Sequence, residues 1–349
     1  MSVPIFMPWD SIFQLFFSSF VLSAVITHFL KQSRFVDIPT ERSAHTMPIP
    51  RVGGLAIIAS MGILSYVWLM PWVENFSNVL YGISGLASLA FISLWDDIHP
   101  QGLGYRPRLF VQFFSSGLFF ISLGPLSLNF FNAPQSVQYP IDIAFTLGSF
   151  LFFINASNFS DGLNGLLSGC VMIASLFWAF LPLNSSFDML LCFMLSGSIL
   201  GFFIFNFHTG RIFLGDVGST FLGAVSGLIT LYSASFYPNP FSSWLVSISV
   251  LSFLWVDIAL TLIQRVIRGL SITQPHRDFF SHLLNRGGLS HTRVSLIYFL
   301  GVIACGSLAL FYAYGFLTFK EWALILLLIH GIKTVFVYGF ARRRGLFRP

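Results

Sequence analysis

The sequence predicts an all-α, polytopic integral membrane protein, and three observations carry that expectation. Apolar residues make up 55% of the chain and charged residues only 9%, whereas a soluble domain carries roughly 25% charged residues. Mean hydropathy is +0.80. Eleven apolar runs recur along the 349 residues, and a spanning helix takes roughly 20 apolar residues, fewer where neighbours shield it. A chain of this size folding in water would need polar surface that these residues cannot supply, so lipid must cover its exterior.

The runs follow one another with polar punctuation between them. The first, 11–30, leads into DIPTERSAHTMPIPRVGG (37–54), after which the second covers 53–72. The third, 79–95, ends in WDDIHP; the shorter fourth, 109–124, begins after GYRPR. The fifth, 139–156, runs into NASNFSDGLNG (155–165), from which the sixth, 163–183, emerges. The seventh, 187–207, ends in NFHTGRIF, and the eighth, 217–236, starts from GDVGS. The ninth, 243–264, contains Asp257 and leads to a loop with PHRDFFSHLLNRGGLSH (275–291). The tenth and eleventh, 295–317 and 320–340, precede a basic tail.

Sixteen of the eighteen Lys and Arg residues fall in loops on one side of this arrangement, and only Lys320 and Lys333 fall elsewhere. By the positive-inside rule that side is cytoplasmic, which puts the N-terminus outside and the C-terminus inside, as an odd number of spans requires. The start of the chain lacks a basic n-region and a small-residue cleavage site, so no removable signal peptide is expected. Cys170, Cys192 and Cys305 show no CxxC spacing and read as buried small hydrophobes. One membrane domain, 1–349, is expected, with 265–293 as a cytoplasmic loop able to cover a substrate. No internal repeat supports an inverted-repeat transporter.

Polar residues are rare here, so their clustering at helix ends on the basic side points to chemistry. Adjacent Asp96 and Asp97 close a span, where acidic side chains oppose the helix dipole and where carboxylates near membrane depth are costly; a merely solvated helix end is the plain alternative. Asn155, Asn158, Asp161 and Asn164 recur every three residues, lining up oxygen ligands beside glycines that admit close approach; helix capping explains one of them but not four. Asp216 stands at a helix N-terminus, where free N–H groups favour phosphate and a carboxylate can hold a hard cation. His276, Arg277, His282 and Arg286 suit polyanion binding, although topology and anionic lipid also attract arginines.

Carboxylates, amides, Arg and His together describe a Mg²⁺-dependent phosphoryl-transfer site, with Mn²⁺ as the alternative metal. GDVGS lacks the Lys of a Walker A loop, and HExxH and GxSxG are absent. A transporter or lipid flippase would place charges near mid-bilayer and on both faces; these collect on one.

WDDIHP, NASNFSDGLNGL, FLGDVGS and the PHRDFFSH loop resemble the motifs of the polyprenyl-phosphate N-acetylhexosamine-1-phosphate transferase superfamily, glycosyltransferase family 4. The match runs in order from about residue 34 to 300. The resemblance implies an enzyme that moves an N-acetylated aminosugar-1-phosphate from a UDP-sugar to undecaprenyl phosphate in the bacterial inner membrane. It implies Asp216 and Asn158 as the metal pair, and Asp96 and Asp97 as essential acids near the lipid phosphate. Arg106 or Arg108, with His45 and Arg51, stands where phosphate is held. Asn164, Asn206 and Asp161 resemble nucleoside-side positions, and His276, Arg277 and His282 lie in the loop over the sugar diphosphate. The lipid I-forming members carry three consecutive histidines in that loop; His276-Arg277-Asp278 followed by His282 resembles instead the branch that initiates O-antigen synthesis. Lipid I formation is therefore the second candidate activity. No nucleic-acid partner is expected, and a homodimer is left open.

Overall fold

The computed structural model describes residues 8–39, 47–70, 73, 75–99, 102–128, 134–182, 186–235, 239–272, 274 and 276–346. Helix α1 (Trp9–Leu30) is followed by a two-residue antiparallel ladder of β1 (Val36–Asp37) with β2 (Ile49–Pro50). Then come α2 (Gly54–Leu64), which continues through a π turn at Ser65–Leu69, α3 (Phe76–Ile98), α4 (Tyr105–Leu123), α5 (Gln135–Ser160), α6 (Leu166–Phe180) and α7 (Ser186–Asn206). The chain closes with α8 (Gly215–Ser235), α9 (Pro240–Ser249), α10 (Ser252–Ile267), α11 (Phe280–Arg286), α12 (His291–Ala313) and α13 (Phe319–Arg343).

Every one of the eleven apolar runs thus carries helix. Among the described residues seven helices (α1, α3, α5, α7, α8, α12 and α13) are long and apolar enough to cross a membrane, and eight spans result if α9 and α10 count as one. The apolar α2 and α6 are shorter. The ninth run is not one straight rod: α9 and α10 meet at 94°. Serine hydroxyls from either side of the break satisfy carbonyls at the end of α9, Ser249 Oγ donating to Val246 O at 2.7 Å and Ser252 Oγ to Ser249 O at 2.6 Å, which lets the backbone bend without stranding polar groups in an apolar setting.

Burial orders the bundle. In α8, 89% of the most apolar window is buried, against 11% in α13, so α8 is the hub and α13 faces outward. The outer faces of α13 and α1 carry exposed Leu324, Leu328, Ile332 and Val335, and Phe13, Phe17, Val21 and Val25. Such long apolar stripes call for lipid rather than water. The inward face of α1 carries Ile12 and Leu15 and then the small polar Ser19, Ser23 and Thr27, with Ser19 and Thr27 bonded to the carbonyls of Leu15 and Ser23, the side-chain size that lets helices approach closely in a membrane.

Around the hub, α2 comes so near α8 that a Cβ at Gly54 would lie 2.2 Å from Gly218 Cα. The approach is locked by backbone bonds at one end of the bundle: Phe213 N donates to Pro50 O at 2.7 Å, Gly53 N to Phe213 O at 2.9 Å and Gly54 N to Leu214 O at 2.8 Å. The β1–β2 ladder braces the same loop. These bonds set the N-terminus of α8 beside the polar ends of α3, α4 and α5.

Candidate active site

Consecutive residues on a helix point about 100° apart, so Asp96 and Asp97 turn to different partners. Asp96 Oδ1 accepts the Leu103 N–H, closing the turn between α3 and α4, while Oδ2 meets Arg108 Nη1 at 3.1 Å. Asp97 reaches the first turn of α8, where its Oδ2 accepts the Val217 N–H at 3.0 Å. A carboxylate at that position satisfies an orphan donor and complements the positive end of the helix dipole. Arg51 supports it from the α2 side, donating from Nε to the Asp97 carbonyl at 2.6 Å. The two carboxylates that stand side by side in sequence therefore do separate work: Asp97 seats α8, and Asp96 holds Arg108 and the turn into α4.

Arg108, in the first turn of α4, joins three elements. Besides Asp96 it holds Asp216 Oδ2 at 2.6 Å through Nη2, and the same nitrogen lies 3.3 Å from Asn158 Oδ1. Asn158 is itself oriented by donating from Nδ2 to Ser219 Oγ at 3.0 Å. Two hard oxygens, one from α5 and one from α8, thus bracket a single cationic atom. That donor pair fits Mg²⁺, which is held by one or two protein oxygens and keeps water and substrate phosphate in its other positions. Among the described residues no set of three or more His, Cys, Asp and Glu side chains is arranged to hold a metal.

The α5–α6 loop forms the next wall. Asp161 follows α5, and burial together with the Asp216 and Asp97 carboxylates pushes its pKa well above the usual carboxylate range. Asn164 is held through its backbone, its N–H near His291 Nδ1 at 3.4 Å and its carbonyl accepting from Ser295 Oγ at 3.1 Å. Its amide lies against Gly210, where a Cβ would come within 2.7 Å of Nδ2. Asn206 is turned inward: Oδ1 accepts the Gly165 N–H at 2.7 Å and Nδ2 donates to Ile212 O at 2.8 Å. Both ends of that amide are engaged in stapling α6, α7 and the loop before α8.

The segment 276–286 covers this wall. His276 packs on Phe279 with ring centroids 4.6 Å apart and has Nδ1 3.6 Å from Asp278; Asp278 is also paired with Arg265. Phe279 in turn stacks on Phe159 of α5 at 5.9 Å. The His282 ring lies against Gly162, and its Nδ1 is buried without a hydrogen-bond partner. Burial first, then the Arg277 charge, lowers the His282 pKa to about 4. Arg277 is exposed. Arg106 is exposed as well and stacks on Tyr105 at 5.9 Å, away from the Arg108 cluster. His45 lies outside the described residues.

Three contributors were given no role by the sequence: Gln112, whose Oε1 accepts from Asn155 Nδ2 at 2.9 Å, and, inside GDVGS itself, Ser219 and the Val217 N–H. The signal for Gln112 was its polarity inside an apolar run; a backbone donor has none.

Comparison with known proteins places this geometry. The sequence profile of glycosyl transferase family 4 matches residues 83–234, the stretch that holds Asp96, Asp97, Arg108, Asn158 and Asp216. A probable undecaprenyl-phosphate N-acetylglucosaminyl 1-phosphate transferase of Bacillus subtilis (strain 168) is 29% identical over 279 residues, 77% of this chain and 75% of the relative. A decaprenyl-phosphate N-acetylglucosaminephosphotransferase of Mycobacterium leprae (strain TN) is 27% identical over 332 residues, 82% and 81% of the two chains. An undecaprenyl-phosphate alpha-N-acetylglucosaminyl 1-phosphate transferase of Escherichia coli (strain K12) is 26% identical over 330 residues, 90% and 85% of the two. On the profile, on these relatives and on four ordered motifs that converge at one end of an apolar helical bundle, the chain is similar to the polyprenyl-phosphate N-acetylglucosamine-1-phosphate transferases and to glycosyl transferase family 4.

Proposed function

We propose that the protein transfers an N-acetylated aminosugar-1-phosphate from a UDP-sugar to undecaprenyl phosphate, releasing UMP, and so starts a cell-surface polysaccharide such as O-antigen. The observation that carries this is the convergence of Asp96, Asn158 and Asp216 on the guanidinium of Arg108. A cluster that balances fixed anions against a bidentate cation suits a reaction in which phosphate charge is moved rather than created. Undecaprenyl phosphate and UDP-sugar meet at the basic end of the bundle, on the cytoplasmic side of the bacterial inner membrane, a reading that the one-sided distribution of Lys and Arg supports.

The acceptor phosphate, with a second pKa of about 6, is largely dianionic at neutral pH and needs no strong base. One of its oxygens attacks the phosphorus next to the sugar; the bond from that phosphorus to the UMP oxygen breaks, and UMP departs with the electron pair. The products are sugar-diphospho-undecaprenol and UMP. Asp216 and Asn158 would hold Mg²⁺, or Mn²⁺ in its place, which supplies neutralisation of the diphosphate oxygens when bound. Arg108 aligns phosphate oxygens through its paired N–H groups. Asp96 keeps Arg108 in place, and Asp97 keeps the α8 N-terminus, with Asp216, in register. Arg277 stands at the exposed edge, where it meets the donor diphosphate.

Purified protein incubated with undecaprenyl phosphate and a panel of UDP-sugars tests the proposal by UMP release. Absence of UMP with every UDP-N-acetylhexosamine sinks it, and consumption of UDP-N-acetylmuramoyl-pentapeptide alone moves the assignment to lipid I formation.

A further inference from the structure

Asp257 lies inside the ninth apolar run, on α10, and is only 1% exposed. Both of its oxygens are used. Oδ1 accepts the Phe280 N–H at 2.7 Å; Oδ2 accepts the Tyr298 hydroxyl at 2.5 Å and the Ser281 N–H at 3.3 Å. Phe280 and Ser281 open α11, so this carboxylate satisfies the orphan donors of a helix that is otherwise only a loop insertion. Thr261, one turn further along α10, adds its hydroxyl to Oδ1 at 3.4 Å.

The counter-charge comes from α13. Lys333, one of the two basic residues that the charge distribution left off the basic side, donates from Nζ to Phe253 O at 2.7 Å. It lies 4.5 Å from the Phe253 ring, 5.5 Å from Phe280 and 5.7 Å from Tyr298. Its charge attracts the Asp257 carboxylate across this packing. A buried carboxylate with four donors and a buried ammonium enclosed by three rings are each costly alone and tolerable together. What this assembly grips is the start of α11, and α11 carries His282. The ring of His282 is pressed onto the α5–α6 loop so closely that a Cβ at Gly162 would sit 2.1 Å from Nε2.

We infer that Asp257, bonded to Tyr298 and to the Phe280 and Ser281 N–H groups, is a positioning residue that docks the 276–286 segment onto the Asp161–Asn164 loop and thereby sets the affinity for the sugar-nucleotide donor. Asp257 touches no substrate itself; it acts through His282, His276 and Arg277. The role holds only if that segment faces a UDP-sugar, as proposed above.

The test compares Tyr298→Phe and Asp257→Asn with the unsubstituted protein in lipid nanodiscs. Amide hydrogen exchange is read over residues 276–291, and KM is read separately for UDP-N-acetylglucosamine and for undecaprenyl phosphate. Tyr298→Phe removes one bond and keeps the ring under Lys333, so it remains informative if Asp257→Asn fails to fold. The expected result is faster exchange at Phe280 and Ser281 with donor KM raised about tenfold, the factor expected for one lost charge-assisted hydrogen bond, while acceptor KM stays within about twofold. Donor and acceptor KM rising together, or neither moving while thermal stability falls, overturns the inference and leaves Asp257 as scaffold. Faster exchange in Tyr298→Phe, with no UDP-sugar consumed by the unsubstituted protein, upholds the docking role and rejects the donor assignment instead.

Discussion

Arg108 Nη2 lies 2.6 Å from Asp216 Oδ2, and this ion pair joins the start of α4 to the start of α8. Because Asn158 Oδ1 faces the same nitrogen at 3.3 Å, the guanidinium stands where two oxygen ligands point. The consequences for substitution differ on the two sides of the pair.

Asp216→Asn keeps the shape of the side chain and removes its charge. Turnover is expected to fall about 100-fold or more, the scale on which a preorganised electrostatic contact acts in catalysis, while membrane insertion and thermal stability are retained. UMP release across a Mg²⁺ titration checks this, and near-normal activity at every metal concentration would remove Asp216 from the metal pair.

Arg108→Ala leaves Asp96 and Asp216 facing each other without their cation. The side chains are 26%, 12% and 31% exposed, so the destabilisation is expected at about 1–3 kcal/mol, below that of a fully buried pair. Added Mg²⁺ should raise the melting temperature of Arg108→Ala more than that of the unsubstituted protein, since two carboxylates then lack a counter-ion. An equal metal response in both proteins would show that Arg108 does not shield the pair.

His282 titrates at about 4 rather than 6.5 in the fold. Between those values the unfolded chain binds the proton and the native state does not, so its stability contribution is complete above about pH 6.5 and declines as pH falls toward 4, by at most about 1.4 kcal/mol per pH unit. Melting curves from pH 7 to 4 should show a shallower acid loss in His282→Gln. Parallel curves for the two proteins would contradict the burial of a neutral imidazole at this position.

Asn206→Ala should act on stability first. Removing the amide leaves the Gly165 N–H without its acceptor, a loss of about 1–3 kcal/mol, with donor KM little changed in the folded fraction. A large rise in donor KM at unchanged melting temperature would instead return Asn206 to the nucleoside pocket.

Membrane embedding, the eleven apolar runs and the polar clusters between them were legible in the primary structure, because composition and run length are local properties that lipid reads directly. The motif residues were legible too, but their division of labour was not. Asp96 and Asp97 read as a pair; a helix turns them about 100° apart, toward Arg108 and toward the Val217 N–H. The break between α9 and α10 left no distinct mark in a mostly apolar run, since the serines that satisfy it resemble any small residue of a packed span. Asn206 carried polarity without direction, and only the meeting of α6 with the loop before α8 turned its amide inward. Asp257 and Lys333 stood in different runs as unexplained charges. Tertiary packing decided where each finds its partners, Asp257 at Tyr298 and the start of α11 and Lys333 at the Phe253 carbonyl, because a buried charge is stable only where the fold brings the groups it needs.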